Sequence, residues 1–225
     1  RCLPAKGDRS ASLARATIFG SRSRMKISSL LRAYRANRYK RRAKTVTDTS
    51  RLVAGTPQDR LLGLDAVLAG AVGCTVLDIG CHDGTVAQAF ARAGAIRVEG
   101  CDISRAAVDT ANERVQLEGS AFHVVDLTGG ASALSALPLR PKYDIVCYLG
   151  MHHHLKGQMS PAALQHLTVA ILGRSSDIFV ARTPLRHFDE LHEMIMNGGF
   201  APVGDLEVSG KVGPSRVYRR TMPTA

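Results

Sequence analysis

No apolar run in this 225-residue chain approaches the roughly 20 residues that a membrane-spanning helix needs, which argues against a transmembrane protein. None of its five cysteines, Cys2, Cys74, Cys81, Cys101 and Cys147, forms a C-x-x-C pair, and their number is odd. That excludes a cysteine-rich zinc site of the usual spacing and speaks for free thiols in a reducing, cytoplasmic compartment. Internal repeats and low-complexity segments are missing from the part after residue 50. So is an initiator methionine. The chain opens on Arg1, and the stretch to Arg24 is rich in Arg, Ser and Ala without apolar periodicity. Either it is a processed or translated upstream extension or natural synthesis begins at Met25, and its low acidity also fits a transit peptide, which would imply organelle import.

Acidic residues are nearly absent from the first 44 positions. These hold 14 of the 30 Lys and Arg against one acid, Asp8, for a charge of +13; the other 181 residues hold 16 bases and 18 acids, for −2. The sequence pI of 9.9 therefore belongs to a tail. Residues 1–50 are read as a basic, flexible arm and residues 51–225 as one folded domain. Within the arm, Ile27 to Arg42 reads either as a basic helix with Leu30, Leu31 and Tyr34 near one face or as a solvated segment. Such a cluster suits a nucleic acid or another anionic surface as partner.

Beyond the linker, helices and strands alternate, the pattern of a doubly wound, mostly parallel α/β sheet of the Rossmann-like kind. Pro57 to Ala69 is expected to be one helix, with Thr56 as N-cap and proline at the first helical position. Strands are expected at Thr75 to Ile79, Ile96 to Cys101, Phe122 to Val125, Asp144 to Leu149 and Asp177 to Ala181. Helices are expected from Thr85 to Ala93, from Ser104 to Leu117 with Ala107, Val108, Ala111 and Val115 inward, from Ser160-Pro161, and from His187 to Met196. Ala201 to Val208 and Arg216 to Arg219 suggest an antiparallel C-terminal hairpin.

The informative run is Val76-Leu77-Asp78-Ile79-Gly80-Cys81-His82-Asp83-Gly84-Thr85, a strand that ends in an acid and passes through a glycine-containing turn straight into a helix. Glycines let backbone approach a ligand, and a helix N-terminus offers unpaired N–H groups. A carboxylate at the strand end would repel a pyrophosphate and attract an ammonium, which disfavours a nicotinamide dehydrogenase. This run resembles the D/E-x-G-x-G-x-G motif of class I S-adenosylmethionine-dependent methyltransferases, with His82 in place of the middle glycine; the resemblance extends over about residues 57 to 220. Histidine is among the residues that tolerate left-handed backbone. The resemblance implies S-adenosylmethionine as cofactor. Asp102, 22 residues after Gly80, sits where an acid accepts ribose hydroxyls, and Asp126 sits where the family's acid receives the adenine amino group. The expected cofactor-binding set is Asp78, Gly80, Cys81, His82, Gly84, Asp102, Ile103, Asp126, Leu127 and Leu149.

On the reaction side, the fourth strand runs into Met151-His152-His153-His154-Leu155, resembling the family loop in which the methyl group meets its acceptor. His153 and His154 are the candidate catalytic residues, since an imidazole can accept a proton near neutral pH; a packing role for the loop is the alternative. Three consecutive histidines diverge on any regular element, so no metal is expected. Arg182, Arg186 and His187 follow the fifth strand and can meet an anionic acceptor or simply be solvated. The Asn/Asp-Pro-Pro-Tyr/Phe motif of many amino-directed nucleic-acid methyltransferases is missing. The expected activity is methyl transfer to a small-molecule or sugar hydroxyl or amine. The alternatives are an RNA methyltransferase using the arm and a cofactor-binding module without transfer activity.

Overall fold

The computed structural model describes residues 57–209 and 213–221. The basic arm, the Ile27 to Arg42 segment and Thr56 lie outside the described residues. The first expected helix is two: α1 (Pro57–Leu61) and α2 (Asp65–Ala69). Gly63 interrupts them at φ +75°, and a Cβ there would come within 2.5 Å of Ser215 Oγ, so the break is where the chain packs on the C-terminal hairpin.

β1 (Thr75–Ile79), α3 (Thr85–Arg92), β2 (Arg97–Asp102), α4 (Arg105–Arg114) and β3 (Ala121–Val124) follow in the expected order. Ser104 caps α4 as its composition suggests, its hydroxyl accepting the Ala107 N–H at 3.3 Å. Ala107, Val108, Ala111 and Val115 are all buried. Between β3 and β4 lie two elements that were not anticipated: a 3-10 turn at Leu127–Gly129 and α5 (Gly130–Ser135). Next come β4 (Tyr143–Leu149), a short helix α6 (His152–Lys156) on the histidine run, and α7 (Pro161–Gly173). Ser160 caps α7 through the Ala163 N–H. β5 (Ser175–Arg182), α8 (Phe188–Asn197), β6 (Phe200–Ser209) and β7 (Gly213–Arg220) complete the described chain.

The strands form one sheet in the order β3-β2-β1-β4-β5-β7-β6. β1 to β5 run parallel, and β7 pairs antiparallel with β5 and β6, so the C-terminal hairpin closes one edge. Alternating strand residues send side chains to opposite faces. Val76, Ile145, Cys147, Ile178 and Val180 join one apolar cluster with Phe90 of α3 and Val108 of α4. Leu77, Ile79, Val146, Tyr148 and Phe179 join the other with Leu164, Leu167 and Ile171 of α7. Chain order reverses between β1 and β4, and the crevice beyond the carboxyl ends of those strands is where such sheets bind ligands.

Cys81, Cys101 and Cys147 are free and buried, as expected for thiols of the core. Among the described residues no helix is long and apolar enough to cross a membrane.

Candidate active site

Both carboxyl ends at the reversal point carry chemistry. Asp78, on the fully buried β1, is 2 % exposed, and its Oδ2 has no hydrogen-bond partner. Burial foremost, and then the neighbouring charge of Asp102, push its carboxyl up to about 7, against the opposing pull of Arg182 and Arg60. A buried acceptor without a partner is costly, and a cationic donor would relieve it.

The turn after β1 is held by its own backbone. The Gly80 and Cys81 N–H groups both donate to the Cys101 carbonyl, at 2.8 and 3.0 Å. Gly80, His82 and Gly84 have φ of +81°, +47° and +74°, so His82 takes the left-handed conformation expected of it. A Cβ on Gly84 would lie 2.9 Å from the Ala111 backbone, which fixes α3 close against α4. At Gly80 the space freed by the missing side chain is filled by Met151, the residue leading into α6. These amides are thus committed within the protein, which is consistent with a ligand lacking phosphate.

Asp102 is half-buried at the end of β2. Its Oδ2 accepts the His82 N–H at 3.0 Å and its Oδ1 the Ser104 N–H at 2.9 Å, which fixes the carboxylate and leaves each oxygen a further lone pair. Beside it Ile103 is 63 % exposed, an apolar surface at the rim of the crevice. Asp126 is exposed and accepts both the Thr128 N–H and hydroxyl on Oδ1 at 2.9 and 2.7 Å, and the Thr128 contacts hold its carboxyl below the ordinary value. Cys81 and Leu127 are buried in the core, so their side chains support the loops from below. Leu149 is half-buried at the end of β4.

Asp83 is a residue the sequence reading passed over. It binds Arg60 of α1 at 2.6 Å and Arg114 of α4 at 2.8 Å and accepts the Thr85 hydroxyl at 2.8 Å. Burial works against its ionisation, but the hydrogen bonds from Thr85 and Arg114 and the charges of Arg60 and Arg114 outweigh it and hold the carboxyl far below its usual range. Acid and bases at a spacing of more than 20 residues gave no local signal.

Residues 76–171 match the family model described as a methyltransferase domain. The ribosomal protein L11 methyltransferase of Dechloromonas aromatica (strain RCB) is 35 % identical over 94 residues, 42 % of this chain. The chain spans 29 % of that relative's length. In fold, it is similar to magnesium protoporphyrin IX methyltransferase from Synechocystis PCC 6803 crystallised with S-adenosylmethionine, with a TM-score of 0.55, 18 % identity and coverage of 89 % of this chain and 100 % of that one. It is also similar to an S-adenosylmethionine-dependent methyltransferase from Mesorhizobium loti, with a TM-score of 0.54, 15 % identity and coverage of 74 % and 99 %. The fold is that of class I S-adenosylmethionine-dependent methyltransferases, and the methyltransferase-domain match covers residues 76–171 of it.

The fold places the histidine run on α6 at the end of β4, above the glycine turn. His152, which sequence reading left aside, is fully buried, and neither ring nitrogen has a partner. His153 is half-buried with its Nδ1 unpaired, and its ring lies 3.9 Å from that of the exposed His154. Burial foremost pushes His152 and His153 each down to about 4. Arg182 corrects the sequence expectation. It is 5 % exposed, and its guanidinium donates to the carbonyls of Arg60, at 2.8 Å, and Leu62. It faces the interior because it lies on β5 itself, so it cannot reach out to an acceptor. In the 3-10 turn Leu185–His187, Arg186 is exposed and His187 half-buried.

Proposed function

We propose that the chain transfers a methyl group from S-adenosylmethionine to a hydroxyl or amine of a small molecule or sugar. The observation that carries this reading is the unpaired Oδ2 of buried Asp78 at the point where the sheet order reverses, with Asp102 fixed beside it by two backbone N–H groups. An unpartnered carboxylate fits an ammonium, and a partly exposed one with free lone pairs fits vicinal hydroxyls. Asp78, Gly80, His82, Gly84, Asp102, Ile103 and Asp126 are assigned to the cofactor, with Cys81, Leu127 and Leu149 supporting the loops around it. When bound, the cofactor supplies a methyl group on a sulfonium. What the protein adds is position, because holding donor and acceptor in near-attack geometry provides much of the rate.

His154 is the better candidate for taking the acceptor's proton. It is the exposed member of the stacked pair, whereas the half-buried ring of His153 is held neutral and weakly basic. The test is calorimetry with S-adenosylhomocysteine together with turnover of labelled S-adenosylmethionine against metabolite and RNA fractions. Binding with turnover on the metabolite fraction supports the reading. Binding without transfer to any fraction would leave a cofactor-binding module, and transfer confined to RNA would favour the alternative suggested by the basic arm.

A further inference from the structure

One group of side chains beyond the cofactor assignment remains unexplained. At the carboxyl ends of β4 and β5, α6 brings His152, His153, His154 and Lys156, and the Leu185–His187 turn brings Arg186 and His187. Each lies within electrostatic reach of others: His153 feels His154, Arg186, His187 and His152, and His187 feels Arg186 and Lys156. Arg186 Nε donates to His187 Nε2 at 2.9 Å. The carboxylate acting on His152 and His187 is Glu190, and Lys156 already pairs with it. His153 Nδ1 is buried without a partner. Met151 packs on Gly80 at the start of this cluster, so the group borders the turn assigned to the cofactor.

We propose that this cluster is the acceptor site and that it selects an anionic acceptor, a small molecule bearing a carboxylate or phosphate held by Arg186, His187 and His153, with His154 left for the acceptor's proton. The assignment rests on the methyltransferase reading. Arg186 forms no ion pair among the described residues, Glu190 being taken by Lys156, so an anion entering this mouth would meet an uncompensated guanidinium. Among the described residues Arg186 makes no side-chain hydrogen bond beyond that from Nε, so its two terminal nitrogens present the planar fork that matches an oxyanion. Isolated surface charges are ordinarily satisfied by water, but a buried imidazole nitrogen lacks that recourse; carrying the ring's one proton, His153 Nδ1 would donate to an oxygen of the ligand.

The test uses the full chain saturated with S-adenosylhomocysteine at pH 7, reading the ring resonances of His153, His154 and His187 by NMR. Sodium acetate and inorganic phosphate are titrated in separate arms against chloride at matched ionic strength. Saturable shifts in either arm are expected, acetate or phosphate telling which oxyanion is preferred. Arg186→Gln is expected to weaken that binding by about tenfold or more while leaving S-adenosylhomocysteine affinity within about twofold. Responses in both arms identical to chloride, or an Arg186→Gln variant that binds the anion as well as the parent, overturn the anionic-acceptor assignment while the cofactor reading stands. A chain that does not bind S-adenosylhomocysteine at all overturns the methyltransferase reading, and the acceptor assignment with it.

Discussion

At the scale of single residues, Asp78 and Asp102 are both carboxylates at strand ends, yet burial gives them different work. Asp102 is partly open and fixed by two N–H donors. Its replacement by alanine should remove charge-assisted ribose hydrogen bonds of about 1.5 to 3 kcal/mol and weaken cofactor binding about tenfold to a hundredfold. Unchanged affinity of a folded Asp102→Ala protein by calorimetry would remove Asp102 from the cofactor set. Asp78 should show itself in the pH dependence of stability. Its carboxyl ionises near 3.8 when unfolded and near 7 when folded, so between those values the unfolded state holds fewer protons. The stability it contributes is complete below about pH 4 and lost by about pH 7, a swing of up to about 4 kcal/mol. Denaturation from pH 4 to 7 should therefore show Asp78→Asn gaining on the parent as pH rises, and parallel curves would contradict the burial of an unpaired acid. Excess S-adenosylhomocysteine is expected to flatten the parent's slope, because a cation beside Asp78 restores its ionisation.

At the scale of elements, α3 and α4 meet through Gly84. A side chain there must adopt φ +74° and intrude on the Ala111 backbone. Gly84→Ala is expected to cost about 2 to 4 kcal/mol in chemical denaturation; a loss under about 0.5 kcal/mol would mean the helices separate freely. Elements of this kind were legible in the sequence. Ser104 and Ser160 announce the starts of α4 and α7, the spacing of Ala107, Val108, Ala111 and Val115 gives the inner face, and strands were found to within about two residues at most ends. The unread elements share a physical trait. Five-residue α6 and six-residue α5 are too short for a periodic signal, and the break at Gly63 exists because of Ser215, far away in sequence. At the site, Asp78 and Asp102 were legible because each lies at the end of a recognisable strand, and Asp126 because it follows one by two residues, capping the 3-10 turn after β3. Arg182 and Asp83 were not, since partners from distant elements decide whether a charge faces water or the interior.

At the scale of the whole molecule, the charge of the first 44 residues is set against a nearly neutral remainder. A protein starting at Ser50 is expected to fold and bind cofactor, since every assigned cofactor residue lies beyond it, and to lose polyanion affinity that in the full chain falls steeply with salt. Equal RNA binding by the two proteins at low salt would show that the arm is no polyanion-binding element, and activity on RNA lost with the arm would shift the acceptor assignment toward nucleic acid.

The bonds from Arg182 to the carbonyls of Arg60 and Leu62 set a limit on where the chain can be cut. A start at Ser50 keeps both carbonyls, whereas a start at Leu64 strips them away and leaves a guanidinium in the interior facing no acceptor. Removing one partner of a buried charge costs on the order of 3 to 5 kcal/mol, a large share of the stability of an ordinary domain. The residues before β1 thus behave as part of the folding unit, although they contribute no strand to the sheet. Two truncations fourteen residues apart are expected to part company: the Ser50 start yields a cooperative melt, and the Leu64 start yields aggregated or molten protein that Arg182→Met partly rescues. Equally sharp thermal transitions for both would show that Arg182 finds water or another acceptor once its partners are gone.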